Sequence, residues 1–176
     1  HLHTGLPSLT EKHAQAFIDN LAGLGGAVVF AHDDCYVMAA VLAPAWGIEV
    51  PFRPVHLAEW LGSVLEKHQK KVRPLKQKVA FQRPCIARRA PWTAGFVDRL
   101  FDLAGAQRVQ RRYDGKNATC CGIGLAERLP DTSASMVKDN ITDALEHDAV
   151  AMVFGCPSCY AFMSAPCMEA GLAPIF

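Results

Sequence analysis

The sequence predicts an α/β fold of two tandem βαβ-type units with parallel sheets. Three observations carry this. Apolar, β-rich runs alternate with amphipathic helical patterns along the 176 residues. The runs GAVVFA (26–31) and AVAMVF (149–154) are apolar almost throughout, as strands covered on both faces of a parallel sheet are. Finally, residues 25–36 (GGAVVFAHDDCY) align without a gap to 149–160 (AVAMVFGCPSCY), a weak internal repeat of one strand and its following turn.

Each element has its own warrant. Residues 8–23 place Ala14, Phe17, Ile18 and Leu21 on one helical face, and the strand at 26–31 follows. A second helix over 55–68 aligns Leu57, Trp60, Leu61 and Val64. The strands VAFQ (79–82) and QRVQRRY (107–113) flank a helix over 92–104 that carries Phe96, Val97, Leu100 and Leu103 on one side. After a turn at 114–117, a helix capped by Ser133 or Ser135 runs through Val137, Ile141 and Leu145 to the strand at 149–154, with a last helix over 158–170. Strand, helix, strand in this order implies right-handed crossovers.

The repeat divides the chain into a degenerate first unit (1–65), a basic linker (66–78, EKHQKKVRPLKQK) and a complete second unit (79–176). HLHTGL (1–6) parallels CCGIGL (120–125), so the first unit keeps strand and turn but has exchanged most cysteines. The chain begins with His rather than Met, and sequence is expected beyond one or both ends.

Composition narrows the function. With 51% hydrophobic residues there is material for a packed core, and 18 Lys+Arg against 17 Asp+Glu offer no general grip on nucleic acid or an anionic membrane. No signal or transit layout opens the chain and no stretch is long and apolar enough to insert in a membrane, so a cytoplasmic protein is expected. Seven cysteines, an odd number in a chain of this size, suit metal or redox chemistry better than a secreted disulfide framework.

Five of them are spaced as a ligand set. Cys85, the Cys120-Cys121 pair, and Cys156 with Cys159 each follow a predicted strand, with 34 residues between Cys85 and Cys120, 34 between Cys121 and Cys156, and two between Cys156 and Cys159. At the carboxyl edge of a parallel sheet such loops converge, so thiolates distant in sequence meet there. A zinc site closes with four ligands and leaves one thiolate over. An adjacent pair bridges only through a strained ring, and a thioredoxin-like pair at Cys156 and Cys159 gives Cys120-Cys121 no task. An iron–sulfur cluster accommodates several close-spaced thiolates, with Gly122, Gly124 and Gly155 supplying backbone N–H groups.

The arrangement PC (84–85), TCCGIG (119–124) and FGCPSCY (154–160) resembles the cysteine-rich CCG domain found in the heterodisulfide reductase subunit lettered B and in related iron–sulfur electron-transfer subunits. The resemblance spans 79 to about 170 and extends weakly over 1–65. It implies that Cys85, Cys120, Cys121, Cys156 and Cys159 bind a noncubane [4Fe-4S] cluster. In heterodisulfide reductase a disulfide is held between two such clusters and cleaved in one-electron steps. Here the first copy has His32-Asp-Asp-Cys35 in place of Cys-x-x-Cys and His1-Leu2-His3 in place of Cys-Cys-Gly, so a complete second cluster is not expected.

Lesser candidates follow. His32 and Cys35, completed by His1 or His3, are a candidate zinc site of the first unit, weighed against a vestigial loop. Cys167 reads as a core thiol. Arg83, Arg88 and Arg89 flank Cys85, where they stabilise cluster or substrate charge or are simply solvated, and Tyr160 and Phe162 shield the cluster or pack the core. The expected function is the iron–sulfur subunit of a heterodisulfide-reductase-like oxidoreductase, with an iron–sulfur or flavin electron donor and other subunits as partners. Its substrate would be a small-molecule or protein thiol/disulfide. The alternative is a zinc-stabilised structural or assembly module without redox activity.

Overall fold

The computed structural model describes residues 7–176; His1 and His3 lie outside them. Two parallel sheets form, one of two strands in the order β1-β2 and one of four in the order β4-β3-β5-β6. The first comprises β1 (Ala27–Phe30) and β2 (Arg53–His56), preceded by α1 (Pro7–Ala22). Between them lie α2 (Asp33–Val37), a π-helical turn (Met38–Leu42) and α3 (Ala43–Ala45). After α4 (Leu57–Lys67) and a short 3-10 turn (Gln69–Lys71) come β3 (Lys78–Gln82), a 3-10 turn at Cys85–Arg89, α5 (Thr93–Ala104) and β4 (Gln107–Arg108). The chain then runs through α6 (Pro130–Glu146), β5 (Ala151–Phe154), α7 (Pro157–Glu169) and β6 (Ala173–Ile175).

Alternation along the strands assigns the layers. Phe81 faces α5 and meets Phe101 edge-on at 5.6 Å, while its neighbour Ala80 joins Met152, Phe154, Val137, Ile141 and Met163 in the core beneath α6 and α7. A second core gathers Ile18, Phe30, Val37 and Phe52 of the first unit, and it takes in Ile86 and Ala90 from the turn that Cys85 opens. Because β3 is followed by β4 on one side and β5 on the other, the order of the strands reverses between β3 and β5. In open parallel sheets that reversal is where ligands bind, beyond the carboxyl ends.

Several elements differ from the sequence expectation. The strand expected over 107–113 stops at Arg108: Val109 N still donates to Val79 O at 2.9 Å, but Arg111 then turns inward. Its guanidinium donates to Phe81 O at 2.9 Å and to Asp143 at 3.1 Å, and Asp143 also accepts from Arg112 N and Tyr113 N. The helix expected to be capped by Ser133 or Ser135 begins at Pro130, whose fixed φ suits a first turn, so Ser133 lies inside it and is buried. Trp60 and Leu145, placed on apolar faces by spacing, are 45% and 41% exposed. The sequence pattern does not reveal β2 and β6; RPVH and API are short and carry a proline each, which hides them among loops.

The buried Arg111–Asp143 pair fastens the approach to the Cys120 loop. Arg111→Ala leaves the carboxylate without its counter-charge and is expected to destabilise the fold by about 3–5 kcal/mol. Removing Lys78 from its exposed pair with Asp148 is expected to cost under about 1 kcal/mol. Urea unfolding of the two variants checks the contrast.

Candidate metal centre

The sulfurs of the second unit meet at the reversal between β3 and β5. Cys85 follows β3 by way of Pro84, and Cys156 is the residue before α7, which Pro157 starts. Gly155 lets the two turns close: a Cβ there would lie 3.2 Å from the Phe81 ring and 3.3 Å from Pro84. The Cys120-Cys121 loop enters from the side, carried between β4 and α6.

That loop has no regular backbone pairing, and side chains hold it carbonyl by carbonyl. Arg88 donates to Ala118 O, Gln82 to Thr119 O at 2.9 Å, Asn140 to Cys120 O at 3.2 Å and Ser133 to Gly122 O at 2.9 Å. With the carbonyls turned outward, N–H groups turn to sulfur: Gly122 N lies 3.4 Å from Cys120 Sγ. Gly122 takes a left-handed φ of 89°, and a Cβ on it would meet Ser133 Oγ at 2.9 Å, so only glycine fits.

The result is a continuous run of thiols that interact pairwise: Cys85 with Cys120, Cys120 with Cys121, Cys121 with Cys159 and Cys159 with Cys156. Among the described residues no three or more His, Cys, Asp or Glu side chains are arranged around one ion position; the contacts run pairwise along the chain of sulfurs. Cys121, Cys156 and Cys159 are buried, Cys120 is half-buried and Cys85 is exposed, so the run opens to solvent at the Cys85 end. Sharing protons shifts the thiols apart. Contact with the Cys159 thiol, then with His32, holds Cys156 down to about 4. Contact with Cys120 and burial push Cys85 well above the ordinary thiol range, Cys121 and Cys156 do the same to Cys159, and Cys121 is pushed up to about 11, chiefly by Cys120.

His32 ends the run. Its Nε2 lies 3.6 Å from Cys156 Sγ and its Nδ1 3.8 Å from Cys35 Sγ, so His32 stands between the first-unit cysteine and the second unit's sulfurs. His32 is raised above the usual imidazole range, first by its contact with Cys156. Cys167 is fully buried in the core, and its thiol is pushed up to about 11 by that burial. Arg88 is a loop clamp, while Arg83 is half-buried with an unpartnered Nε. Tyr160 packs on Phe154 at 5.8 Å and Phe162 against the same core.

Sequence reasoning missed Gln82, Asn140 and the inward Arg111. Their signal is a polar residue on a core-facing position: Gln82 ends an apolar strand, and Asn140 lies on the stripe of Val137, Ile141 and Ala144.

A parallel α/β unit with five cysteines gathered at its switch point defines a cysteine-rich class of domain. Residues 79–164 match the family model of the CCG cysteine-rich domain. The chain is similar to the D-lettered subunit of dihydromethanophenazine:CoB--CoM heterodisulfide reductase from Methanosarcina barkeri, 26% identical over 137 residues that are 75% of this chain and 34% of the relative. The counterpart from Methanosarcina acetivorans is 27% identical over 140 residues, with the same shares covered. The chain thus spans about a third of the length of these relatives. Both relatives carry the letter D, where the motif alone pointed to the subunit lettered B. Among the described residues no helix is long and apolar enough to cross a membrane.

The loop geometry is checked by a pair of glycine variants. Gly122→Ala is expected to cost about 1–3 kcal/mol through its left-handed φ and the Ser133 contact. Gly124→Ala, with nothing within 4 Å of a new Cβ, is expected to stay within about 0.5 kcal/mol in the same urea titration.

Proposed function

We propose that the chain is the iron–sulfur part of a heterodisulfide-reductase-like oxidoreductase complex in a cytoplasmic, reducing compartment. Cys85, Cys120, Cys121, Cys156 and Cys159 hold one noncubane [4Fe-4S] cluster in the unit 79–176, joined by the linker 66–78 to the degenerate unit 1–65. The observation that carries this is the unbroken run of five sulfurs at the switch point, with backbone N–H groups aimed at them. A single tetrahedral ion takes four ligands, while a multi-iron group takes all five thiolates, two of them adjacent.

When bound, the cluster supplies one-electron steps that couple to thiol/disulfide chemistry. The chain's residues do the rest. The clamps on Ala118 O, Thr119 O, Cys120 O and Gly122 O fix Cys120 and Cys121 before any iron arrives, so little order is lost on binding. Cys121, Cys156 and Cys159 are buried on the α6 and α7 side, whereas exposed Cys85 leaves one edge open to the sulfur of a small-molecule or protein thiol/disulfide. Reducing a disulfide takes two electrons and the site passes them singly, so partner subunits with an iron–sulfur or flavin donor are required.

Purified without oxygen, the chain is expected to be brown, with about four irons and labile sulfide per chain. A colourless chain that takes up only zinc overturns this in favour of a zinc-stabilised structural module. Cys121→Ala is expected to lose or convert the cluster, seen in its visible and EPR spectra. Because Cys85, Cys121 and Cys159 hold their protons above the ordinary thiol range, those protons must leave on binding. Metal uptake by the stripped chain is therefore expected to release protons and to weaken as pH falls; a pH-independent affinity contradicts the ligand set.

A further inference from the structure

The two repeats meet at equivalent residues. In the alignment of 25–36 with 149–160, His32 stands where Cys156 stands and Cys35 where Cys159 stands. In space His32 Nε2 is 3.6 Å from Cys156 Sγ, across a separation of 124 residues, which is the offset of the repeat. Corresponding turns of the two copies therefore face each other, with His32 and Cys156 where they touch.

Contacts remote from the sulfurs hold the first-unit turn in place. Buried Asp33 Oδ1 lies 3.2 Å from His56 Nε2, and His56 Nδ1 accepts from Ala58 N at 3.1 Å, so the His56 proton sits on Nε2 and is donated to Asp33. Tyr36 packs edge-on against the His56 ring at 5.1 Å and its hydroxyl accepts from Trp92 Nε1 at 3.1 Å, tying α2 to the start of α5. His32 is thus presented by a fixed scaffold. The groups facing its ring are Cys156, Cys35 at 3.8 Å from Nδ1, and Asp34, whose Oδ2 is 3.4 Å from Nε2.

We propose that His32 is a positioning residue for the second unit's metal group, delivering a hydrogen bond from Nε2–H to the Cys156 sulfur and thereby raising the reduction potential of the cluster held there. The inference rests on the cluster reading above. Nδ1 is engaged with Cys35, and Nε2 is the nitrogen that faces Cys156, with Asp34 Oδ2 beside it as a second acceptor for the same N–H. An N–H aimed at a ligand sulfur stabilises the form with more electron density on sulfur, which is the reduced form. A turn that would complete a metal motif of its own as Cys-x-x-Cys instead serves, as His-x-x-Cys, the motif across from it.

The test uses the full chain, loaded with iron and sulfide without oxygen, and reads iron content, EPR spectrum and midpoint potential. His32→Ala and His32→Asn, whose shorter amide does not reach the sulfur, are expected to keep wild-type iron. Their potentials are expected to fall by at least tenfold in the one-electron equilibrium, about 59 mV. His32→Gln, which places an amide N–H near the position of Nε2, is expected to recover most of the shift, a pattern that loss of packing alone does not give. Potentials equal to wild type in all three variants overturn the inference and leave the cluster reading standing. Iron lost from all three makes His32 a ligand rather than a hydrogen-bond donor and also overturns it. A wild-type chain that takes up no iron overturns the cluster reading and the inference together.

Discussion

The site depends on one packing contact: the 3-10 turn that Cys85 opens has its apolar residues in the core of the other unit. Ile86 and Ala90 are buried among Ile18, Phe30, Val37 and Phe52, so the first cysteine of the run is positioned by a core it does not belong to in sequence. The same contact brings α2 against the turn, and α2 carries Cys35 just after its capping His32. Burial of this kind is non-directional and strong, roughly 25 cal/mol per Å² of apolar surface. It holds the two turns together whatever fills the space between the sulfurs.

Direction is supplied by polar groups. Four donors on three different elements, Arg88, Gln82, Asn140 and Ser133, pin the carbonyls of one irregular loop, and Arg111 with Asp143 fixes the segment leading into it. Buried polar side chains are costly, and Gln82, Asn140 and Ser133 each offset part of that cost by giving a donor to a backbone oxygen of the loop. The cost is tolerable because the loop has no sheet or helix to satisfy those carbonyls. Precision at the cysteines is thus built from the strand end and helix face around them.

Much of this is legible in the sequence. The near-continuous apolar strands at 27–30 and 151–154, the helices at 7–22, 93–104 and 157–169, and the parallel pairing are all foreshadowed by period and by the repeat. Cys85, Cys156 and Cys159 lie just after β3 and β5, as their spacing implies, whereas Cys120 and Cys121 are carried by a long irregular loop well beyond the end of β4. Three things are not legible, for physical reasons. The end of β4 at Arg108 depends on a charge pair between Arg111 and Asp143 on a distant helix, which no local window contains. The start of α6 is masked by serines that look like caps. The approach of His32 to Cys156 is a tertiary contact between repeats: spacing shows that the residues correspond, and only the packing of α2 against the Cys85 turn brings them together.

The chemistry proposed for this chain stands on iron and sulfur sharing these five cysteines as one multi-iron group. X-ray absorption at the iron edge, on the anaerobically purified chain, tests that most directly. A shared cluster predicts iron surrounded by sulfur with a further shell of neighbouring iron, both disrupted in Cys121→Ala. Iron bound as isolated ions with no iron neighbour, or a shell unchanged by that substitution, would contradict it.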